Sequence, residues 1–447
     1  MLKELLKPDI LKLVEARDWE ALRDSLDYWP PQEVADLLLH LRKTERILLF
    51  RVLPRHLAAD VFAELEFDRQ DELIRDLSDE ETKQLLAELH PDDRTQLLGE
   101  LPGQATQRLL NLLDPEDLEQ SRWLLGYPEG SVGRLMTPHY VAVHPEETIE
   151  QALNHIRAHG RDTEAVNVVF VVDDEWILLD AIDLRRFILT PPGQTVTDIM
   201  TRRTRSIPAT AGRAQAVQMI RRYDMVALPV VDTGGVLLGV VTVDDVLDVA
   251  EQEATEDFHR VGSVEPIRTS IREATVGFMF RKRIGWLMAL VFMNIFSGAG
   301  LAFFEETITA VVALLFFLPL LIGSGGNAGS QSATLMVRAL ATGDVTGADW
   351  LRLLGKEVGV ALLLGGGLAA GAATISYFRA PEVMVVVAMA MVCIVITGSL
   401  IGMSLPFLLT RAGLDPATAS APLITSLSDI SGVVIYFSIA TWYLGLH

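Results

Sequence analysis

The chain contains a single cysteine, Cys393, and it lies inside an apolar run. No intrachain disulfide can form, and thiolate zinc sites are excluded. The first residues, MLKELLKPDI, lack the apolar core of a signal peptide, so the front half is expected to stay in the cytosol. No nucleophile motif and no glycine-rich phosphate loop in a strand–helix context is present, and the nine histidines are scattered. An enzyme is not expected. Basic residues are also scarce: 38 Lys and Arg stand against 59 Asp and Glu, a formal net charge of −21. From residue 271 onward the count is nine against nine, so the whole deficit lies in residues 1–270. Acid concentrated in this way argues against nucleic acid or anionic lipid as a partner. It suits a surface that collects cations, although composition alone favours the plainer reading of a surface that only needs solubility.

The second half lacks charge over long stretches: 284–304, 307–337, 358–378 and 383–410 carry none, and 416–447 carries only Asp429. A membrane crossing needs roughly 20 apolar residues. Five helices are therefore predicted near 284–304, 308–340, 357–378, 383–409 and 421–445. The inner ends would carry Arg281, Lys282, Arg283, Arg338, Arg352, Lys356 and Arg411. The outer ends would carry Arg379 with Glu305, Glu306 and Glu382, so the pattern obeys the positive-inside rule. An odd number of crossings puts the C-terminus outside, with membrane lipid around the apolar half. The second helix is broken by Pro319 and the run GSGGNAGSQSAT (323–334). Polar, glycine-rich chain at membrane depth must be buried in protein or line water. Asn327, Ser330, Gln331 and Thr334 are candidate pore residues, and a kink filled by a neighbouring helix is the plainer alternative.

Asp429, in LITSLSDISGVV, is the sharpest single residue. A lone carboxylate in the bilayer is costly and commonly marks an ion path. The fifth helix holds no Lys or Arg to neutralise it, while Ser426, Ser428 and Ser431 surround it. Two such carboxylates from a symmetric dimer would make a hard oxygen site for a divalent ion. A protonated or internally bonded Asp is the other reading.

Residues 1–131 read as an α-solenoid of short amphipathic helices. Turn-like openings recur every 11 to 13 residues at Leu77-Ser78, His90-Pro91, Leu101-Pro102 and Asp114-Pro115. Residues 132–250 switch to β-α-β patterning in two copies, 132–196 and 197–250. GRLMTPHYVAVHPEETIEQAL (133–153) aligns with TDIMTRRTRSIPATAGRAQAV (197–217). The pair resembles a tandem of CBS domains, which bind adenine nucleotides or metals. The second copy ends GVVTVDDV, with Thr242 and Asp245 at the spacing such domains use for ribose and phosphate. The first copy, LLDAIDL, lacks that glycine and threonine, so a nucleotide such as ATP is expected only at the second. A purely structural role for the pair stays open. A connecting helix follows over 251–275, and its approach crowds Asp248, Glu251, Glu253, Glu256 and Asp257 together.

The short-helix array, the CBS tandem and spans carrying GGNAGSQSATL and PLITSLSDISG together resemble the MgtE family of magnesium transporters over nearly the whole chain. The resemblance implies a homodimeric channel in a bacterial plasma membrane. It passes Mg²⁺ into the cytosol and is held shut when Mg²⁺ bridges its cytosolic acids. By position, Asp429 would be the pore carboxylate, and Asn327 with the polar residues after it would line the entrance. Asp60 and Asp92 would be ligands facing the CBS pair, with Asp245 opposite. Asp224 and Asp248 would hold an ion within the CBS region, helped by the backbone carbonyls of Arg134 and Arg221. Glu253, Glu256 and Asp257 would meet Asp415 and lock the connecting helix to the pore. Ala214, Gln96, Ala421 and Ser330 depart from the family's polar residues at their positions. A channel for Mn²⁺ or Co²⁺, or a membrane-anchored nucleotide sensor, are the alternatives.

Overall fold

Leucine pairs at helical spacing drive the front of the chain. Leu85/Leu86, Leu97/Leu98 and Leu109/Leu110 are all buried, and each pair sits on one short helix. The computed structural model describes residues 10, 12–14, 16, 18–163, 165–267, 271 and 274–446. The remaining residues of the predicted 1–131 and 251–275 segments lie outside it. Residues up to Gln252 form one unit and residues from Glu253 form a second.

In the first unit, nine helices occur among the described residues before the CBS region. They are α1 (Trp19–Leu26), α2 (Pro31–Leu39), α3 (Lys43–Val52), α4 (Arg55–Ala63), α5 (Phe67–Asp76), α6 (Asp79–Glu88), α7 (Pro91–Glu100), α8 (Gly103–Leu110) and α9 (Pro115–Leu125). Their starts follow from capping chemistry. Ser78 and Glu81 exchange hydrogen bonds with each other's backbone N–H at 3.3 and 2.8 Å, closing a capping box. Pro31, Pro91 and Pro115 occupy first-turn positions, where no amide donor is needed. Helices tend to pack on their second neighbours, α2 on α4, α5 on α7 and α7 on α9. Buried Arg94 ties this packing together, donating to the Leu86 carbonyl at 3.1 Å and pairing with Asp117 at 3.0 Å.

Two three-stranded sheets follow. Strands β1 (Ala142–Val143), β2 (Val168–Val172) and β3 (Leu178–Asp183) form one sheet. Strands β4 (Ile207–Pro208), β5 (Ala227–Val231) and β6 (Leu237–Thr242) form the other. In each sheet the first pair is parallel and the second antiparallel. The parallel pairs are bridged by α10 (Ile149–His159) and by α13 (Arg213–Tyr223). The shorter α11 (Leu184–Leu189) and α12 (Val196–Ile199) lie between the copies. Val168, Phe170 and Val172 of one sheet pack with Ala227, Leu237 and Val240 of the other.

One difference between the strands of the two copies changes how the chain packs. In the second, Gly239 lets the chain before β1 approach closely, and a Cβ there would sit 2.7 Å from the Thr137 carbonyl. Thr137 and Val240 exchange backbone bonds at 2.9 Å. In the first copy Asp180 stands in the matching place, and its buried carboxylate takes over the pairing. It accepts from the N–H groups of Thr201 (2.5 Å) and Arg202 (2.9 Å) and from the Thr204 hydroxyl (2.5 Å). Burial alone would raise this carboxyl. The Thr204 hydroxyl and the backbone N–H groups of Arg202, Thr201 and Ala181 outweigh it and hold the group below the usual carboxylate range.

Helix α14 runs Val243–Val261. It starts eight residues before the predicted connecting helix and ends well short of 275, because the chain turns at Gly262 and Ser263. The second unit is built on five long helices among the described residues: α15 (Val276–Phe303), α17 (Leu314–Ala341), α18 (Trp350–Arg379), α19 (Met384–Arg411) and α20 (Ala421–Leu444). A short α16 (Glu305–Ala310) precedes α17. By length and composition α15, α18, α19 and α20 could cross a membrane. The fifth, α17, has 28 residues and carries the polar glycine run. It begins at Leu314 rather than near 308, since α16 ends at Ala310 and the chain breaks at Val311.

Residue pairings give the helix directions. Gly325 and Gly329 of α17 meet Gly398 and Gly402 of α19 in the same order, so these two run parallel. Ser330 meets Ala421 while Ile322 meets Gly432, so α20 runs opposite to α17. Phe304, just past α15, stacks on Phe437 with ring centroids 5.8 Å apart, and Gly300 faces Val433, so α15 runs with α20. The glycines carry this arrangement. A Cβ on Gly398 or Gly402 would be driven into the carbonyl of Gly325 or Gly329. Small residues at four-residue spacing let the two backbones touch, as tight membrane-helix packing requires.

Candidate ion site and gate

Helix α20 opens at Ser420, whose hydroxyl accepts from Leu423 N–H at 3.4 Å, with Pro422 in the first turn. Thr425 lies against Gly326 and Ser330 of α17, and Gly432 lies against Ile322. Asp429, one turn beyond Thr425, therefore sits level with the start of the polar run on α17. Its side chain is half-buried, and among the described residues no hydrogen bond or ion pair reaches it.

The predicted pore residues divide into three groups. Asn327, Gln331 and Thr334 are exposed along one face of α17, spaced like successive turns. Ser330 points instead to α20, 3.4 Å from both the Ala421 carbonyl and the Thr425 hydroxyl. Ser428 is buried, and its hydroxyl has no partner among the described residues.

Near the end of α14, where Glu253, Glu256 and Asp257 are expected to meet Asp415, stands a residue the sequence reading passed over. Arg260 pairs with Glu256 at 3.3 Å and also with Asp415. Like charges cannot meet unaided, and here the helix supplies its own cation at i+4 from Glu256. Asp415 also accepts from Ala417 N–H at 2.8 Å, and Ser263 donates to Ser420 at 2.6 Å. Asp257 is raised above the usual carboxylate range, first by burial and then by Glu253 and Glu256, with Arg260 opposing. An elevated carboxyl marks an ionised form that a cation would stabilise.

In the first unit, Asp60 is exposed at a cavity of about 220 Å³ shared with Gln32, Glu64, Glu88, His90 and Asp93. Asp92 does not join it: the residue is buried on α7, and its charge supports Arg94. The Asp248 carboxyl is also raised, first by partial desolvation, then by Glu64, Glu251 and Asp244. That places Glu64 of α4 in the electrostatic field of Asp248 on α14, a long-range pairing with no sequence signal. Asp224 ends α13 in left-handed conformation with φ 51° and is exposed, as is Arg221. The Arg134 side chain donates to the carbonyls of Tyr127 (2.8 Å) and Leu125 (3.0 Å), closing the end of α9. Thr242 and Asp245 close on each other at the start of α14, hydroxyl to carboxylate at 2.5 Å. Their three-residue spacing thus already serves as a helix cap. Among the described residues no three His, Cys, Asp or Glu side chains converge to hold a metal. Mg²⁺ keeps several of its waters and needs few carboxylates, so a hard-oxygen set this loose still fits it.

Three family descriptions match the chain. "Divalent cation transporter" covers residues 318–439, "MgtE intracellular N domain" covers 29–130, and "CBS domain" covers 132–189 and 196–251. The magnesium transporter MgtE of Thermus thermophilus is 41% identical over 318 residues, 71% of each chain. That of Bacillus subtilis is 33% identical over 72% of this chain and 71% of its own. Among solved structures, the cytosolic domain of the Mg²⁺ channel MgtE in complex with ATP aligns with a TM-score of 0.52 at 33% identity. It covers 55% of this chain and all of that one. The soluble part of a magnesium transporter aligns at 0.54 and 27%, covering 56% of this chain and 99% of that one. With a helical N-terminal domain, a CBS tandem and a membrane-type helical unit in that order, this chain belongs to the MgtE family of magnesium transporters.

Proposed function

We propose that the chain is a Mg²⁺ channel that admits the ion to the cytosol and is closed by the same ion. The observation that carries the reading is Asp429, half-buried on α20 and reached by no partner among the described residues. Beside it runs a polar stripe of Asn327, Gln331 and Thr334 that the protomer leaves exposed. In lipid such a stripe is costly, which favours covering it with a second protomer around a water-filled passage. A homodimer with one Asp429 from each subunit gives the passage two carboxylates. In this reading all five long helices cross the membrane, α17 included, its polar run facing the passage. The alternating directions then leave the first unit in the cytosol and the C-terminus outside.

Closure follows from charge. Mg²⁺ neutralises acids of the N-terminal α-solenoid, the CBS pair and α14, among them Asp60, Asp224, Asp245, Asp248, Glu253, Glu256 and Asp257. When Mg²⁺ falls, repulsion separates them. ATP at the second CBS copy would modulate this, sharing Asp245 with the helix cap. Ion flux into liposomes with Mg²⁺, Mn²⁺ and Ca²⁺ outside, at low and then high internal Mg²⁺, tests the reading. Mg²⁺ entry that stops at millimolar internal Mg²⁺ is expected. Absence of Mg²⁺ entry at low internal Mg²⁺ would overturn it.

A further inference from the structure

The end of α14 is fastened to the start of α20 at two points, the Arg260–Asp415 pair and the hydrogen bond from Ser263 to Ser420. Ser420 is the N-cap of α20, the helix that carries Asp429. Arg260 also holds Glu256 on its own helix, so one guanidinium joins acids from two elements. Both ends of the pair are only about one-third exposed, at 34% each.

We propose that Arg260 is the built-in cation of the gate: a tethered guanidinium that holds Glu256 and Asp415 together without metal and so sets how much Mg²⁺ completes closure. The proposal rests on the Mg²⁺-gated reading given above. Three properties suit Arg260 to the task. It stays charged at every physiological pH and presents a planar fork that can serve two carboxylates at once. Being covalently attached, it is present at an effective concentration in the millimolar range whatever the free Mg²⁺. It is also insufficient alone. Glu253, Glu256, Asp257 and Asp415 bring four negative charges, so the cluster with Arg260 keeps a net −3. One divalent ion reduces that to −1. The arginine therefore biases the lock, and the ion closes it.

The test uses the full chain in liposomes and in lipid nanodiscs. Arg260→Gln removes the charge and nearly keeps the shape. The internal Mg²⁺ needed for half-closure should rise about twofold to fivefold, the worth of a partly exposed ion pair. Flux at low internal Mg²⁺ should not fall. Independently, amide hydrogen exchange in chelator should quicken at residues 415–420 in Arg260→Gln, and Arg260→Lys, which keeps the charge without the fork, should fall between wild type and Arg260→Gln in both readouts. Unchanged exchange together with an unchanged half-closing concentration would overturn the proposal. So would a lower concentration, which would mean that Arg260 only repels the ion. If wild type shows no closure at any internal Mg²⁺, the gating reading has failed. The exchange arm then still decides whether Arg260 holds the loop.

Discussion

Replacing Asp429 by alanine is expected to abolish Mg²⁺ entry while leaving assembly of the proposed dimer intact. A divalent ion 4 Å from one carboxylate gains on the order of 8 kcal/mol at an effective dielectric near 20, and hydration must replace whatever is removed. Even a third of that is roughly a hundredfold in rate. Asp429→Asn should fail nearly as completely, since it keeps the shape and loses the charge. Flux measured with an indicator inside liposomes, alongside size-exclusion of the same preparation, separates lost conduction from lost assembly. Retained flux in either variant would remove Asp429 from the ion path.

The second large effect is structural. Gly402→Val should collapse the folded yield, because any Cβ at this site is driven into the Gly329 carbonyl. Backbone cannot swing aside as a flexible side chain can, so α17 and α19 must part along their length. Overpacking ordinarily costs about 1–3 kcal/mol, and a clash against backbone in a two-glycine crossing belongs at or above the upper end. Gly366→Val is the control. It lies on α18 with nothing within 4 Å of its Cβ position, so the same substitution should leave thermal stability in detergent nearly unchanged. Equal melting of both variants would mean the crossing does not carry the bundle.

Much of this architecture is legible from local signals. Helix starts at Ser78, Pro91 and Pro115 follow from first-turn chemistry, and all three are found. The β-α-β repeat gives two sheets of identical topology because one alternation pattern is written twice. Most of each apolar stretch lies within one long helix, but 307–337 begins in the short α16 and crosses the break at Val311 before α17 starts at Leu314.

What the sequence hides is which side chains meet. The acids near the end of α14 stand out as charge, yet the partner that organises them is Arg260, one basic residue at helical spacing. Its tie to Asp415 spans more than 150 residues. Asp92 reads like its neighbour Asp93, but only the fold shows one turned inward and the other toward Asp60. Asp180 looks like the loss of a glycine, whereas it replaces a backbone pairing with a carboxylate one. Thr242 and Asp245 show the reverse, a spacing that suggests a ligand and that a helix cap also explains.

In the channel reading, Asp429 borders water within the membrane-spanning unit. Asp429→Cys in a Cys393→Ser background, treated with a charged, membrane-impermeant thiol reagent in intact proteoliposomes, reads this directly. Modification is expected at low Mg²⁺ and should slow when internal Mg²⁺ closes the gate. A cysteine at 429 that stays unmodified under every ionic condition, while one at an aqueous loop position reacts, would contradict it.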